Sequence, residues 1–405
     1  MLVAAVLMLF ASCSAPQNKV TIMNGSRNAR LGEMIEVEAS QFSTTEGVQF
    51  VVRNEKGEEI PSQLTYDGLL IFQCDVEARG EVTYTVEVGT PAEYQNYAVG
   101  RVYPERVDDV AWESDLIAYR AYGPALQQSG ERAFGYDVWV KNNTSLPVVA
   151  ERYEKELNAD TKARIASLRE SDPAAADELY ASVSYHNDHG NGFDAYKVGP
   201  TLGGGATAIV HNETIVYPYC YKECEILDNG PLRFTAKLTY NPTVVGEREL
   251  REVRTISIDK GAFLNRTTVV YEGAEGEVLD VMAGIVLHEQ EPRTLLNEQH
   301  NYMTYAEVVE APDGGELYQA LYFPNGWSGA ENRTQDAPAG TFGHAAVYNK
   351  VAAGEPMTYY WGALWSRSTE VAVADKAAFD ALMKDVVAAK RSPLRVITVV
   401  YEKEK

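Results

Sequence analysis

Residues 185–205 hold the densest group of side chains that could do chemistry. The segment contains two of the six histidines, together with aspartates, tyrosines and a lysine, set among glycines. Glycine lets the backbone turn sharply and approach a ligand closely, and imidazole, carboxylate and ammonium groups transfer protons, bind metals or hold a sugar. The segment is therefore predicted to line a site. Its candidate residues are Tyr185, His186, Asp188, His189, Asp194 and Lys197.

Three uses of this loop compete. We rank acid–base catalysis or substrate binding first, because imidazole titrates near neutral pH. A metal site is second: His186 and His189 have HxxH spacing, and Asp188 or Asp194 would complete the ligand set. In the third, one histidine is buried and hydrogen-bonded and the other is exposed. No cofactor is therefore predicted, and a divalent metal held by the two histidines stays the alternative.

A second segment, 112–126, adds an arginine and a tyrosine. In a strand, Tyr119 and Ala121 point one way and Arg120 and Tyr122 the other. An arginine beside a tyrosine on one sheet face can hold a carboxylate by a two-point contact. The alternative is a surface arginine stacked on an aromatic ring.

A third segment, 134–141, places Asp137, Trp139 and Lys141 on one strand face. Trp139 is a candidate platform for stacking a sugar ring, and an equally good candidate for a core residue. Lys141 is a candidate substrate-binding cation. His288, His300 and the aromatic run 359–365 carry weaker signals.

The charge balance narrows the substrate. A net charge of −22 argues against nucleic-acid binding, which needs basic patches, and an anionic substrate would need a local cluster of cations. Elimination from a uronic acid needs a cation for the carboxylate, a base over C5 and an acid for the C4 substituent. The candidates for these roles are, in that order, Arg120 or Lys197, His189 or His186, and Tyr122 or Tyr185.

Two other functions remain open. A glycoside hydrolase would need two carboxylates at a defined separation; the available ones are Glu113, Asp115, Asp188 and Asp194. The other is a non-enzymatic glycan-binding or mutarotase-like module.

Alternating apolar segments dominate the chain and predict a mainly β protein. Residues 19–100 are predicted to form a small N-terminal β-sandwich, and residues 105–405 a large antiparallel sandwich. A charged, alanine-rich stretch at 151–181 predicts a helical insertion that leads directly into the 185–205 loop. A C-terminal helix is predicted over 375–390, with Asp375 as its N-cap.

The N-terminus predicts export. An apolar run and a small-residue site before Cys13 are typical of a lipoprotein signal peptide and anchor over 1–18. We expect a periplasm-facing lipoprotein, with display on the cell surface as the alternative, and membrane contact only through the lipid on Cys13. The other cysteines, Cys74, Cys220 and Cys224, form either one disulfide or buried free thiols.

Four motifs resemble an uncharacterised family of exported proteins, about 400 residues long, that carry a domain of unknown function. They read WESDLIAYRAYGPAL at 112–126, GYDVWVK at 135–141, YHNDHGNGFDAYKVGPTLG at 185–203 and YYWGALWS at 359–366. The family is found in polysaccharide-utilisation clusters of glycan-degrading bacteria, often beside or fused to unsaturated-uronyl hydrolases, and is related to an ulvan-oligosaccharide dehydratase.

The resemblance implies a galactose-mutarotase-like antiparallel supersandwich. It also implies lyase or dehydratase chemistry on uronic-acid-containing oligosaccharides, with water removed across C4–C5 in the dehydratase case. The residues to which the resemblance carries this chemistry are Arg120, Tyr122, His186, His189 and Lys197.

Overall fold

The computed structural model describes residues 17–311 and 314–401. These residues form two compact units. The first unit consists of residues 17–93 and 394–401, and the second unit consists of residues 94–393. Most of the predicted leader, including the proposed lipid-attachment residue Cys13, lies outside the described residues. Within the described ranges, no helix has the length and apolar character needed to cross a membrane.

The first unit is the predicted small β-sandwich. A five-stranded sheet, in the order β27-β1-β7-β3-β4, and a three-stranded sheet, β2-β6-β5, enclose an apolar core that includes Val20, Val52 and Phe72. Its strands are β1 (Asn18–Met23), β2 (Arg30–Glu38), β3 (Phe50–Arg53), β4 (Glu59–Ile60), β5 (Ser62–Leu64), β6 (Leu69–Val76), β7 (Glu81–Val88) and the last strand of the chain, β27 (Arg395–Val399). A 3-10 turn spans Ala39–Gln41.

The last strand departs from the predicted domain boundary. Residues 105–405 were expected in the second domain, but β27 pairs antiparallel with β1, with Ile397 opposite Thr21. Leu394 and Val396 also pack against the core of the first unit. The choice of partner for this strand depends on pairing between residues far apart in the chain.

The second unit is the predicted antiparallel supersandwich, built from three sheets. The β8–β12 sheet has the order β12-β11-β10-β9-β8; a second has the order β14-β13-β20-β25-β24; a nine-stranded sheet has the order β15-β16-β18-β19-β26-β23-β22-β21, with β17 paired to β18. The strands are β8 (Val99–Tyr103), β9 (Asp109–Glu113), β10 (Ile117–Ala121), β11 (Tyr136–Lys141), β12 (Gly192–Asp194), β13 (Gly204–His211), β14 (Thr214–Val216), β15 (Tyr221–Asn229), β16 (Arg233–Tyr240), β17 (Thr243–Val245), β18 (Arg248–Asp259), β19 (Leu264–Glu272), β20 (Val278–Val286), β21 (Arg293–Asn297), β22 (Tyr302–Val308), β23 (Glu316–Tyr322), β24 (Gly329–Arg333), β25 (His344–Ala352) and β26 (Met357–Trp365).

Aromatic packing joins one face of the β8–β12 sheet to the nine-stranded sheet. Trp361 of β26 stacks on Tyr136 at a ring-centroid distance of 4.0 Å and meets the edge of Tyr119 at 4.9 Å. Trp112 lies in the same cluster. Such rings bury large apolar areas, so this face belongs to the core and the opposite face is left for other partners.

The opposite face is covered by the helical insertion. The prediction of 151–181 is close to the observed extent, which begins two residues earlier and ends two residues later. Asn158 caps the second helix of the insertion through Asp160 and Thr161, and Asp172 caps the third, which begins with proline. The helices of the unit are α1 (Pro124–Gln128), α2 (Val149–Leu157), α3 (Ala159–Ser171), α4 (Pro173–Val183) and α5 (Lys376–Arg391), with a 3-10 turn at Pro104–Arg106.

The C-terminal helix and its cap lie where the sequence predicts. The Asp375 side chain accepts a hydrogen bond from the backbone N–H of Ala378 at 2.8 Å. The side chains of Phe379, Met383 and Val387 form the buried face of α5.

The three cysteines outside the leader are free thiols. Burial raises the pKa of Cys74 to about 12 and that of Cys220 to about 11, and it also raises the pKa of Cys224 to about 12. These thiols therefore stay protonated at neutral pH and are poor nucleophiles.

The end of the 185–205 loop docks tightly against the start of β11. A Cβ atom added at Gly135 would lie 1.9 Å from the backbone carbonyl of Leu202, and Tyr136 forms a β-bridge with Gly203. The absence of a side chain at Gly135 therefore allows the loop to reach the sheet.

We expect Gly135→Ala to lower the free energy of unfolding by about 3 kcal/mol or more, because backbone atoms on both sides would have to shift. Chemical denaturation measures the change. Gly329→Ala is the matched control, since a Cβ atom there has no neighbour within 4 Å. Equal stability of the two variants would contradict the close docking of the loop.

Candidate functional site

Four charged side chains share the helix-covered face of the β8–β12 sheet. Arg120 lies opposite Asp137 across β10 and β11 and opposite Ala111 across β9 and β10. Because side chains alternate between the two faces of a sheet, Asp109 shares this face with Arg120. Asp194 joins it from β12, opposite Trp139.

Arg120 is the centre of the cluster. Its Nη2 donates to Asp137 and, at 3.0 Å, to Asp194. The same nitrogen donates to the Tyr122 hydroxyl at 3.1 Å, and Nη1 donates to the Tyr153 hydroxyl at 3.2 Å. A buried charge is stable only when it is paired and hydrogen-bonded; these contacts pair the charge through both terminal nitrogens, while Nε, 4.0 Å from Asp109, has no hydrogen-bond partner among the described residues.

Burial sets the titration of the surrounding carboxyl groups. It raises the pKa of Asp137 and of Asp194, and the Arg120 charge opposes the rise in both. It also raises the pKa of Asp109 from 3.8 to about 6. Asp109 accepts the backbone N–H of Gly123 through Oδ1, while its buried Oδ2 has no hydrogen-bond partner. The cluster therefore exchanges protons closer to neutral pH than ordinary aspartates do.

His186 forms the exposed rim of the cluster. Its side chain is 52% exposed, and its Nδ1 lies 3.5 Å from Asp194 Oδ2. Desolvation lowers the pKa of His186, and the positive charge of Arg120 lowers it further. The imidazole is therefore neutral at pH 7 and can accept a proton.

Tyr122 lies at the same rim and is half-buried. The guanidinium carbon of Arg120 lies 4.7 Å from its ring centroid. Burial raises the pKa of the Tyr122 phenol, so the hydroxyl keeps its proton at neutral pH. A neutral base and a protonated acid thus both join the network of Arg120, His186 through Asp194 and Tyr122 directly.

Aromatic packing fills the space beneath the insertion. Trp139 is 1% exposed and lies between Tyr153 and Tyr185, with the Tyr185 ring stacked at 5.1 Å. The Tyr185 hydroxyl accepts a hydrogen bond from Arg106 at 3.0 Å. Trp139 is therefore a packing residue in this structure and is not accessible for sugar stacking, because α2 covers it.

The predicted substrate-binding Lys141 is also engaged elsewhere. Its ammonium group donates to Glu113 at 2.9 Å and to the backbone carbonyl of Ser114 at 2.8 Å, and it is fully buried. Glu113 in turn accepts the backbone N–H groups of Val148 and Val149. This ion pair anchors the N-terminus of α2 and leaves Lys141 no free contact with a substrate.

The two histidines of the loop have different partners. His189 Nε2 lies 2.9 Å from the Ser184 carbonyl oxygen, whereas His186 faces Asp194. Asp188 accepts the backbone N–H groups of Gly190 and Gly192 and so closes the turn. In the part of the chain that the structure describes, no group of three or more His, Cys, Asp or Glu residues has the geometry to hold a metal ion.

Lys197 lies in a separate, exposed location, where it pairs with Glu310. Its backbone carbonyl lies 2.8 Å from Nε2 of His288, whose Nδ1 lies 2.7 Å from Glu307. The structure thus brings Arg120, Tyr122, His186 and Asp194 together, while Lys197 and His189 make other contacts.

Two further residues of this region were not singled out from the sequence. Asp109 follows from the alternation of β9, once the strand is aligned with Arg120. Arg152 on α2 carries no recognisable signal, because charged residues on such a helix are usually solvated.

Comparisons with known proteins give one family and several distant likenesses. A family model described as "Domain of unknown function (DUF4861)" matches residues 22–396. "Uncharacterized protein P7" of Formosa agariphila is 24% identical over 411 residues, covering 96% of each chain.

Two solved structures from Enterococcus faecalis are each 8% identical and match 96% of this chain. One is a protein in the glycosyl hydrolase family 38, with a TM-score of 0.47; the other is an alpha-mannosidase, with a TM-score of 0.46. The chain spans about half the length of these structures, 48% and 46% respectively. Likeness at this level says nothing about activity.

Asp109 gives the cluster a testable pH dependence. Between its ordinary value of 3.8 and about 6, the folded protein keeps a proton that the unfolded chain loses, so raising the pH through this window lowers stability. We expect the free energy of unfolding of Asp109→Asn to fall less steeply from pH 4 to pH 6, by up to about 1 kcal/mol per pH unit. Urea denaturation across this range measures the slope, and Gly329→Ala should keep the wild-type slope. An unchanged slope in Asp109→Asn would contradict the raised pKa.

Proposed function

We propose that this chain, which belongs to the DUF4861 family, is a carbohydrate-active enzyme that acts on uronic-acid-containing oligosaccharides by β-elimination, as a lyase or dehydratase. The observation that carries the proposal is the position of His186. Its neutral imidazole is exposed at the rim of a buried network of arginine and carboxylates. Perturbed titratable groups clustered in this way are typical of active sites.

His186 is the proposed base. A hydrogen on Nδ1 directed to Asp194 leaves the lone pair of Nε2 facing solvent, where a sugar C5–H bond could reach it. The base removes the C5 proton, the electrons of the C–H bond form the C4–C5 double bond, and the C4 substituent leaves with its bonding pair. The 3.5 Å separation from Asp194 is of the loose kind that substrate binding tightens.

Tyr122 is the proposed acid. Its phenol is protonated, half-buried and held by Arg120 at 3.1 Å. Protonation of the departing oxygen at C4 would leave a phenolate next to a guanidinium, which stabilises the negative charge. The Tyr122 proton is then restored from solvent or from His186.

The positive charge of Arg106 and Arg120 supports an anionic substrate. Charge builds on the uronate carboxylate as the C5 proton departs, and cations preorganised in a poorly hydrated site stabilise that state. The side chain of Arg106 is 15% exposed. Its guanidinium donates to the Tyr185 hydroxyl and lies 3.8 Å from the Asp109 carboxylate. Arg106 is the more exposed of the two cations, so it is the group that would meet a sugar acid.

Hydrolysis by paired carboxylates fits the site less well. Asp137 and Asp194 both contact the same nitrogen of Arg120 and have little exposure. Asp188 and Glu113 bind backbone N–H groups, and Asp115 binds that of Gly261. Each of these five carboxylates therefore has a structural partner already.

The proposal includes the setting of the enzyme. We propose export and lipid anchoring through Cys13, facing the periplasm, and a place in polysaccharide utilisation, with ulvan-type oligosaccharides among the candidate substrates. The predicted leader and the family resemblance support this setting.

We expect wild-type protein incubated with uronate oligosaccharides to raise the ultraviolet absorbance of the unsaturated uronate, and His186→Ala to slow the reaction at least about 100-fold, because a general base is lost. Tyr122→Phe should slow it similarly. His211→Gln, which alters a histidine outside the site, is the matched control. New reducing ends without the absorbance would indicate hydrolysis, and neither signal would indicate a binding module; both outcomes oppose the proposal.

A further inference from the structure

Arg152 is a buried guanidinium that lacks an anionic partner. It lies on α2 and is 2% exposed. Its Nη2 donates to the side-chain oxygen of Asn191 and, at 2.7 Å, to the backbone carbonyl of Gly192. Its Nη1 is buried with no hydrogen-bond partner within the described ranges.

The other buried arginines of the described residues all contact a carboxylate. Arg120 pairs with Asp137 and Asp194, and the remaining pairs are Arg233–Asp259, Arg254–Glu252 and Arg333–Asp336. Arg152 has only neutral oxygens in hydrogen-bonding contact, although the charges of Asp188 and Glu151 act on it through space. Leaving a buried charge uncompensated costs several kcal/mol, so this position favours an anion.

The turn that covers Arg152 contains two glycines in the left-handed region, of which Gly190 is exposed and Gly192 packs against the backbone of β11. Gly190 and Gly192 have φ angles of 92° and 98°, and a side chain at Gly190 would meet open space. The turn continues into Asp194 and so into the contact with His186. Asn191, which occupies one side of the guanidinium, offers the kind of neutral oxygen that a carboxylate oxygen can replace.

We propose that Arg152 and the turn 188–192 form an anion subsite that takes the carboxylate of a uronic-acid residue of the oligosaccharide, with Asn191 displaced from the guanidinium. This inference rests on the proposed function and deepens it, because it names the group that selects an acidic sugar. A planar guanidinium binds a carboxylate through two parallel hydrogen bonds, and Nη1 supplies the donor that is unused in the structure.

Calorimetric titration of the full chain with a saturated uronate trisaccharide and with its methyl ester tests the subsite. We expect the wild type to prefer the acid, Arg152→Met to bind the acid at least tenfold more weakly, and both proteins to bind the ester equally. Lys155→Met, which removes an exposed cation from the same helix, is the matched control and should keep the preference. An acid preference that survives in Arg152→Met would overturn the proposal.

A second variant tests whether Arg152 has only a structural role. Asn191→Ala removes the competing oxygen, and we expect it to strengthen acid binding and leave ester binding unchanged. Equal loss of both ligands in Arg152→Met, together with no gain in Asn191→Ala, would assign Arg152 to packing and overturn the subsite.

Different results would overturn the proposed elimination activity and the proposed Arg152 subsite. In His186→Ala, the preference for the acid should persist while elimination stops. A wild type that shows the Arg152-dependent preference but no elimination would overturn the enzymatic proposal alone. Elimination in the wild type with full acid affinity in Arg152→Met would overturn the subsite alone.

Discussion

The organisation of this region depends on the burial of one positive charge, that of Arg120, against a sheet. A guanidinium taken out of water is costly unless carboxylates and hydroxyls surround it. The neighbouring strands supply these groups in register: Asp137 from β11 and Asp194 from β12. In return, the charge of Arg120 moderates the rise in the pKa of both carboxyls. The same charge also lowers the pKa of His186 at the rim.

A second buried ion pair, Lys141 with Glu113, attaches the helical insertion to the same sheet face. Glu113 accepts backbone N–H groups at the start of α2 and is itself neutralised by Lys141. Breaking such a pair by removing one partner costs about 3–5 kcal/mol, and a carboxylate at a helix N-terminus is favoured by the helix dipole. The insertion is therefore attached to the sheet by charge as well as by the packing of Tyr153 on Trp139. One part of this sheet face therefore holds the ion pair that anchors α2, and the other holds Arg120 with its titrating aspartates.

Features that depend on local periodicity could be predicted from the sequence, whereas features that depend on contacts between distant residues could not. Alternation correctly predicted a mainly β protein and placed Arg120 and Tyr122 on one face, and composition predicted the helical insertion and the cap at Asp375. Sequence could not show that the insertion folds back over that face, because the contacts that hold it join residues far apart in the chain. For this reason Lys141, a predicted substrate-binding residue, is instead covered, and Trp139 takes the core role that the sequence left open beside sugar stacking. The roles of Arg152 and Asp109 depend on the same folding back.

The pairing of β1 with β27 has a consequence for biosynthesis. The ribosome makes β1 well before its neighbour at 395–399, because the larger unit is encoded between these two parts of the smaller one. During synthesis β1 has an open hydrogen-bonding edge, which is the kind of edge that invites aggregation. Closing so distant a contact is also slow. The nascent chain is therefore expected to need shielding of this edge until β27 has been made.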